Sequence, residues 1–142
     1  MRAVDLPARR QRHKAGSPNA QGVLYERKVG KALSRSFPSV LLGQWLEFED
    51  DHGRGRAQPD IILLGPWPVV VEVKRTYCLD AAQQLEWTYA PLVSALFKAE
   101  VVGMVVVCQN WVGPPVPPML DSLRDLGKVP PGQLAHLHLP LL

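Results

Sequence analysis

The sequence predicts one α/β domain in which a mixed β-sheet is flanked by helices. An amphipathic helical stretch comes first, and two apolar, β-branched runs follow it around a turn rich in Gly and Pro. A second helical stretch then leads into another apolar run, as in a parallel crossover. The 142 residues, 46% of them hydrophobic and 20% charged, suffice for one globular core.

Residues 1–18 are predicted to form a flexible basic arm ahead of a single domain at 19–142. The arm lacks apolar periodicity, and its first 14 residues carry five basic side chains against Asp5, a net charge of +4. The whole chain has a net charge of +3. Two interpretations stay open: a solvated leader, or an arm that holds a phosphate backbone without reading sequence. The candidate contacts are Arg9, Arg10, Arg12 and Lys14.

A helix is predicted over residues 19–36. Val23, Gly30, Leu33 and Phe37 recur on one helical stripe, which we expect to face the core. Glu26 falls on the same stripe. Because a carboxylate on a core-facing stripe is costly unless something pairs with it, Glu26 is a candidate functional residue.

The middle of the chain is predicted to contain three strands. The first covers 41–49, and a polar loop at 50–58 follows it. The runs 59–64 and 69–75 form a hairpin around Gly-Pro-Trp-Pro. The loop contains Arg54 and Arg56 shortly before Asp60, so these arginines either grip phosphates or are ordinary solvated side chains.

The remainder of the chain is predicted to hold a helix, a buried strand and a C-terminal extension at 109–142. The helix covers 79–98, with a break near Ala90 because Pro91 follows. The continuous apolar run 101–108 is typical of a strand covered on both faces. The extension begins with a Pro-rich connector, followed by a short helix and a last strand, at 113–118, 119–127 and 134–139.

Three charged residues interrupt the hairpin strands: Asp60, Glu72 and Lys74. Residues two apart in a strand share a face, so Glu72 and Lys74 point the same way. Two carboxylates can bind a hard cation such as Mg²⁺ through oxygen. A nearby lysine can orient or deprotonate a water and offset phosphate charge.

The length of the hairpin loop decides whether Asp60 joins this group. A four-residue loop at 65–68 would pair Asp60 with Val73 and place its side chain on the other face. We therefore predict a loop of odd length or a β-bulge, since bulges often lie beside active sites.

Pro59-Asp60 followed by Glu72-Val73-Lys74 resembles the signature of the PD-(D/E)xK, or restriction-endonuclease-like, nuclease superfamily. The stretch from Gly22 to Arg27, with Glu26 inside it, resembles the helix start of archaeal Holliday-junction resolvases. The resemblance implies an αβββαβ restriction-endonuclease-like core over 19–108. It also implies a bound Mg²⁺, for which Mn²⁺ can substitute. Asp60, Glu72 and the Val73 carbonyl would hold this cation, and Glu26 would bind it directly or through a water. Lys74 would be the catalytic lysine.

Some members of this superfamily add a Gln and a Tyr on the following helix, and Gln84 and Tyr89 resemble that pair. Their gap is five residues, where about four is expected. Gln84 is taken as a catalytic candidate, and Tyr89 as its partner. Arg75, next to Lys74, is a further candidate for contact with the nucleic-acid backbone.

These features together predict a cytoplasmic, Mg²⁺-dependent deoxyribonuclease that hydrolyses phosphodiester bonds and acts as a homodimer. A junction- or structure-directed endonuclease is favoured, with RNA kept as an alternative substrate. Two other functions stay open: a nucleic-acid-binding module that does not cut, and a nuclease subunit of a recombination, transposition or defence complex. No membrane contact is expected, because the apolar runs are short.

The remaining chemistry-bearing side chains have plainer interpretations. Cys78 and Cys108 are predicted to be buried thiols in a reducing compartment, with no disulfide and no zinc. His136 and His138 are predicted to form a polar face on an edge strand rather than a second metal site. Packing is the expected role of both Trp67 and Trp111.

Overall fold

The structure, a computed structural model, describes residues 2–4, 18–51, 53–98 and 102–140. Its elements form two β-sheets and helices on both faces of the larger sheet. In chain order they are β1 (Arg2–Val4), α1 (Pro18–Ser36), β2 (Val40–Leu42), β3 (Trp45–Asp50), β4 (Gly53–Ala57), β5 (Ile61–Leu63), β6 (Val69–Thr76), α2 (Leu79–Gln84), a π-helical turn (Leu85–Tyr89), α3 (Ala90–Leu96), β7 (Gly103–Asn110), a 3₁₀ helix (Leu123–Lys128) and β8 (Leu134–His138).

The larger sheet has five strands in the order β2-β5-β6-β7-β8. The pairs β2–β5 and β5–β6 are antiparallel, whereas β6–β7 and β7–β8 are parallel. The sheet is therefore mixed and flanked by helices, as predicted, and the crossover from β6 through the helices to β7 joins parallel strands. Among the described residues, no helix is long and apolar enough to cross a membrane.

Helix α1 covers one face of this sheet. Its buried residues are Tyr25, Val29 and Leu33, and they pack against the odd-numbered positions of β6, such as Val71. The predicted stripe is only partly correct, because Gly30 and Leu33 are buried while Val23 is half-exposed. Glu26 is next to this stripe and half-buried, which places it at the edge of the helix–sheet contact instead of inside it.

The helical segment 79–96 covers the other face. Residues such as Leu85 and Val93 pack there against Val70 and Val106. Strands β6 and β7 are thus buried on both sides, as the continuous apolar runs predicted. The predicted break near Ala90 takes the form of the π-helical turn, and Pro91 lies in the first turn of α3, where its missing N–H costs nothing.

The segment predicted as one strand and a polar loop is different in the structure. Gly43, with φ of 59°, ends β2, and the chain then leaves the five-stranded sheet. Strand β3 pairs with β4 in a hairpin, so Arg54 and Arg56 lie on a strand and not in a loop. This hairpin is inserted between β2 and β5, and it belongs to a separate three-stranded sheet, β1-β3-β4.

The N-terminal arm is only partly described. Arg2–Val4 forms strand β1, antiparallel to the start of β3, where a flexible arm was predicted. The extended backbone explains the difference, since a short edge strand needs ladder hydrogen bonds more than apolar periodicity. Arg9, Arg10, Arg12 and Lys14 lie outside the described residues.

The C-terminal extension packs against the sheet. The predicted short helix is a 3₁₀ helix, whose N-terminus is closed by a capping box between Ser122 and Asp125. Strand β8 follows at the edge of the sheet, as predicted, and it runs parallel to β7. Both cysteines are free thiols: Cys108 is buried in β7, and Cys78 is half-buried.

Candidate active site

Asp60 is fixed at the point where β5 begins. Its carbonyl oxygen accepts a hydrogen bond from the Gly43 N–H at 2.9 Å, which extends the β2–β5 ladder by one residue. Its Oδ2 accepts the Val73 N–H at 2.8 Å, so the side chain continues the β5–β6 ladder beyond Ile61. Asp60 is therefore held through its backbone on the β2 side and through its carboxylate on the β6 side.

The hairpin register brings Asp60 and Glu72 side by side. Leu63 pairs with Val69 across the five residues 64–68, and Ile61 pairs with Val71. The next position in that register places Asp60 opposite Glu72, and directly opposed residues share a face. The prediction of an odd-length loop is confirmed.

Glu72 is a buried carboxyl group within an apolar strand. It is 3% exposed, and its Oε1 has no hydrogen-bond partner among the described residues. Burial, followed by the neighbouring Asp60 and Glu26 carboxylates, raises the pKa of Glu72 to about 10, against the smaller opposing effect of Lys74. Burial and the neighbouring negative charges thus favour the protonated form of Glu72.

Lys74 points toward the same face as Glu72, as their spacing predicted. Its Nζ lies 4.0 Å from Glu72 Oε2, and 39% of its side chain is exposed. The ammonium is therefore close to the buried carboxyl group and still open to solvent. Arg75, the next residue, is exposed.

Glu26 reaches the site from α1. Glu26 and Asp60 both line a pocket of about 290 Å³ between the helix and the edge of the sheet. The negative charge of Glu26 also contributes to the raised pKa of Glu72, so the two carboxyl groups interact electrostatically. The fold brings together the four residues that the sequence singled out for chemistry: Glu26, Asp60, Glu72 and Lys74.

The Gln84–Tyr89 pair joins them from the other side. Gln84 Nε2 donates a hydrogen bond to the Tyr89 hydroxyl oxygen at 2.9 Å. The π-helical turn between them contains one more residue than an α-helical turn. Residues five apart therefore lie on the same side of this helix, as residues four apart do in an α-helix. Burial, then the Glu72, Asp60 and Glu26 carboxylates, raises the pKa of Tyr89 above its usual value, which places its hydroxyl near the acidic group.

The donor set suits a hard cation that keeps several waters. In an extended strand, the N–H and the C=O of one residue point toward the same neighbouring strand. The Val73 carbonyl therefore faces Asp60 at the start of β5, as the Val73 N–H does. Among the described residues, no three His, Cys, Asp or Glu side chains form a complete metal site. Two carboxylates, one carbonyl and water match the preference of Mg²⁺, and the unpartnered Glu72 Oε1 fits such a ligand.

The hairpin arginines face acidic partners. Arg56 forms a salt bridge with Glu47 at 3.1 Å, and Arg54 lies directly opposite Glu49 on β3. Both arginines are exposed. Their charge is balanced within the hairpin, which weakens the interpretation that they grip phosphates.

His136 departs from its predicted role. It is 2% exposed, and its ring lies edge-on to Tyr77 and Trp111, which stack at 4.1 Å between ring centroids. The burial of His136 could not be expected from an edge strand, because it depends on residues 116–120 running alongside β8. His138 is exposed, 3.2 Å from the Gln109 carbonyl.

Trp67 and Trp111 have packing roles, as predicted. Trp67 Nε1 donates to the Val129 carbonyl at 2.8 Å, which joins the hairpin turn to the C-terminal extension. Trp111 Nε1 donates to the Pro114 carbonyl at 3.1 Å.

Two residues of the pocket were missed by the sequence analysis. Arg27 and Lys31 line it together with Glu26. Their spacing of four on one helix is the signal that could have found them, since such residues are neighbours on the helix surface.

Comparison of the chain with protein families, with curated proteins and with solved structures found no match.

Proposed function

We propose that the protein is a metal-dependent nuclease of the PD-(D/E)xK type, which hydrolyses phosphodiester bonds in DNA. The observation that carries the proposal is the position of the Asp60 side chain next to the buried Glu72, beside Lys74. The Oε1 atom of Glu72 has no hydrogen-bond partner among the described residues. A structural role explains this poorly, because an isolated buried carboxyl group destabilises a strand. A bound cation would offset that cost.

The order of elements supports the proposal. In the five-stranded sheet, α1 is followed by β2, β5 and β6, then by the helical segment and β7. This is the αβββαβ order that the resemblance implies, with the β3–β4 hairpin inserted after its first strand. The candidate residues occupy α1, the start of β5, the end of β6 and the following helix.

Each side chain has a defined task in this proposal. Asp60, Glu72 and the Val73 carbonyl would hold the cation, and Glu26 would act on it directly or through water. When bound, a divalent cation would polarise the phosphate and make a water more acidic. Lys74 would orient that water and offset the charge that develops on the phosphate. Gln84, held by Tyr89, would contact the substrate beside Lys74.

The first test is cleavage of fluorescent DNA: linear duplex, single strand, nicked duplex, flap and four-way junction. Each substrate is incubated with Mg²⁺, with Mn²⁺ and with EDTA. We expect cleavage only with a cation, and a loss of at least about 100-fold in Lys74→Met, where the packing of the side chain is kept but its charge is removed.

Lys128→Met is the matched control, because Lys128 is exposed on the 3₁₀ helix and pairs only loosely, at 4.0 Å, with Asp125. It should cut at the rate of the unaltered protein. Equal activity in both variants, or cleavage that persists in EDTA, would contradict the proposed function. The preferred substrate identifies the subtype, and solution size measurements test the homodimer.

A further inference from the structure

The pocket shared by Glu26 and Asp60 lies on one side of the candidate active site. It has a volume of about 290 Å³, the lower end of the range for small-molecule sites. Its base is formed by Gly30, Leu42 and Ile61, and the lining is largely apolar. A space of this size accepts one ring system rather than a stretch of duplex.

The rim of the pocket carries positive charge. Arg27 and Lys31 line it one helical turn apart, and both are exposed on α1. The Asp60 and Glu26 carboxylates lie at the same pocket. An occupant with an apolar ring and an attached phosphate would match this division, with its ring on Leu42 and its phosphate toward the basic rim.

Gly30 allows the Leu42 side chain to approach α1 closely at the pocket. A Cβ built on Gly30 would lie 3.2 Å from Leu42 Cδ2, closer than ordinary contact. Any larger side chain at this position would occupy the space between α1 and β2. Leu42 itself is 51% exposed, although it is a large apolar residue on an edge strand.

We propose that this pocket, here called the edge pocket, holds one unpaired nucleotide next to the phosphate that is cut. The proposal rests on the proposed function and names its substrate class: DNA in which a nucleotide at the cleavage position is out of the stack, as in a bulge, flap, branch or single strand. A base inside a regular duplex cannot enter such a pocket unless it is unstacked and unpaired first. The base would lie on the apolar part of the lining, and the charged groups would face the phosphate and the cation, so the preference is for structure and not for sequence.

Binding in EDTA tests the edge pocket without requiring cleavage. The probe is a duplex with a single bulged 2-aminopurine, whose fluorescence reports its stacking, and the reference is the same duplex without the bulge. We expect the protein to bind the bulged duplex at least about tenfold more tightly and to change the 2-aminopurine signal, since removing one face of an apolar ring from water contributes about that factor.

Leu42→Trp fills the pocket and should abolish the tenfold preference and the signal, while leaving affinity for the plain duplex unchanged. Leu24→Trp is the matched control, because Leu24 is 54% exposed on α1 and does not line the pocket. Arg27→Ala with Lys31→Ala should reduce the preference as well, whereas Arg35→Ala on the same helix should not.

The outcomes separate the two proposals. A preference that Leu42→Trp removes supports the edge pocket, even if no DNA is cut under any condition. Cleavage with equal binding of bulged and plain duplex, or a preference that Leu42→Trp leaves intact, overturns the edge pocket and leaves the nuclease in place. Failure to bind either duplex also overturns it.

Discussion

Glu72 is the residue at which stability and the proposed chemistry conflict. It occupies a strand whose preceding residues, Val69 to Val71, are all buried and apolar. Its carboxyl group is kept neutral by burial and by the carboxylates around it, with a pKa of about 10. Above about pH 4.5, where Glu72 of the unfolded chain is ionised, folding must therefore bury a group that prefers to be charged in water, and this lowers the free energy of unfolding.

Glu72→Gln should remove this pH dependence. Because the folded-state pKa lies above the ordinary value of 4.5, the stabilisation from neutral Glu72 is fully present below about pH 4.5 and is lost as the pH rises toward 10. We expect the variant to gain stability over the unaltered protein, by up to about 4 kcal/mol between about pH 5 and pH 8, because one pH unit corresponds to about 1.4 kcal/mol for one proton. Urea denaturation at the two pH values measures it.

A divalent cation provides the complementary measurement. It should raise the melting temperature of the unaltered protein and have little effect on Glu72→Gln, since a neutral amide is a weaker ligand. If both proteins respond equally to Mg²⁺, the cation binds elsewhere.

His136 should act on stability with the opposite sign. Burial lowers its pKa from 6.5, and neither ring nitrogen has a well-formed hydrogen bond within the described part of the chain, although the Pro118 and Val116 carbonyls favour the protonated ring. The neutral ring therefore contributes stability that is present above about pH 6.5 and lost as the pH falls below it. His136→Phe should flatten this loss in urea titrations near pH 5, and exposed His138→Phe should not.

At the scale of elements, the π-helical turn is the feature that aligns the site. An α-helix would turn Gln84 and Tyr89 away from each other at a spacing of five, whereas the wider turn at Leu85–Tyr89 allows their hydrogen bond of 2.9 Å. The turn also leaves Trp87 72% exposed on the outer surface. Such turns are frequent at functional sites, because they re-aim side chains without ending the helix.

A double-mutant cycle on Gln84→Ala and Tyr89→Phe tests this alignment. If Tyr89 acts by holding Gln84, the two single variants should lower kcat by similar factors, and the double variant should lose little more, with a coupling of about 1 kcal/mol. Rates on the preferred DNA substrate measure it. Additive losses would show that the two side chains act separately.

The sequence predicted those elements whose pattern agrees with their environment. The β-branched run at 69–75 specifies β6, and its alternation correctly placed Glu72 and Lys74 on one face. Strand β4 was missed because Gly53 to Ala57 contains little strand-forming sequence, and its pairing depends on β3. The pocket, the π-helical turn and the burial of His136 depend on contacts between distant segments, and no local pattern carries that information.

At the scale of the whole molecule, positive charge is concentrated in the N-terminal residues. The first 14 residues have a net charge of +4, so the rest of the chain is close to neutral. Within the described part, the hairpin arginines are balanced by Glu47 and Glu49. Affinity for nucleic acid that does not depend on structure should therefore come from the N-terminal residues together with the exposed basic side chains of α1, among them Arg27, Lys28 and Lys31.

Replacing Arg9, Arg10, Arg12 and Lys14 by Gln should weaken binding of every duplex about equally. If each of the four contacts a phosphate, the slope of log affinity against log salt should fall by up to about 3.6. Arg54→Gln with Arg56→Gln should change the slope less, because Arg56 is paired with Glu47 and Arg54 lies opposite Glu49. Fluorescence anisotropy across a salt series measures the slope for both sets of variants. A larger change of slope in the hairpin variant than in the N-terminal variant would assign the phosphate contacts to the hairpin.

The insertion of the β3–β4 hairpin has one more consequence, which follows from how it is closed. Gln58 Nε2 donates to the Gly43 carbonyl at 2.7 Å, and the Gly43 N–H donates to the Asp60 carbonyl, so the excursion begins and ends at one tied point. The entropy of closing such an excursion grows only slowly with its length. A longer or different segment could therefore replace the hairpin while Asp60 stays in place, so that the surface offered to partners would change without altering the geometry of the candidate site.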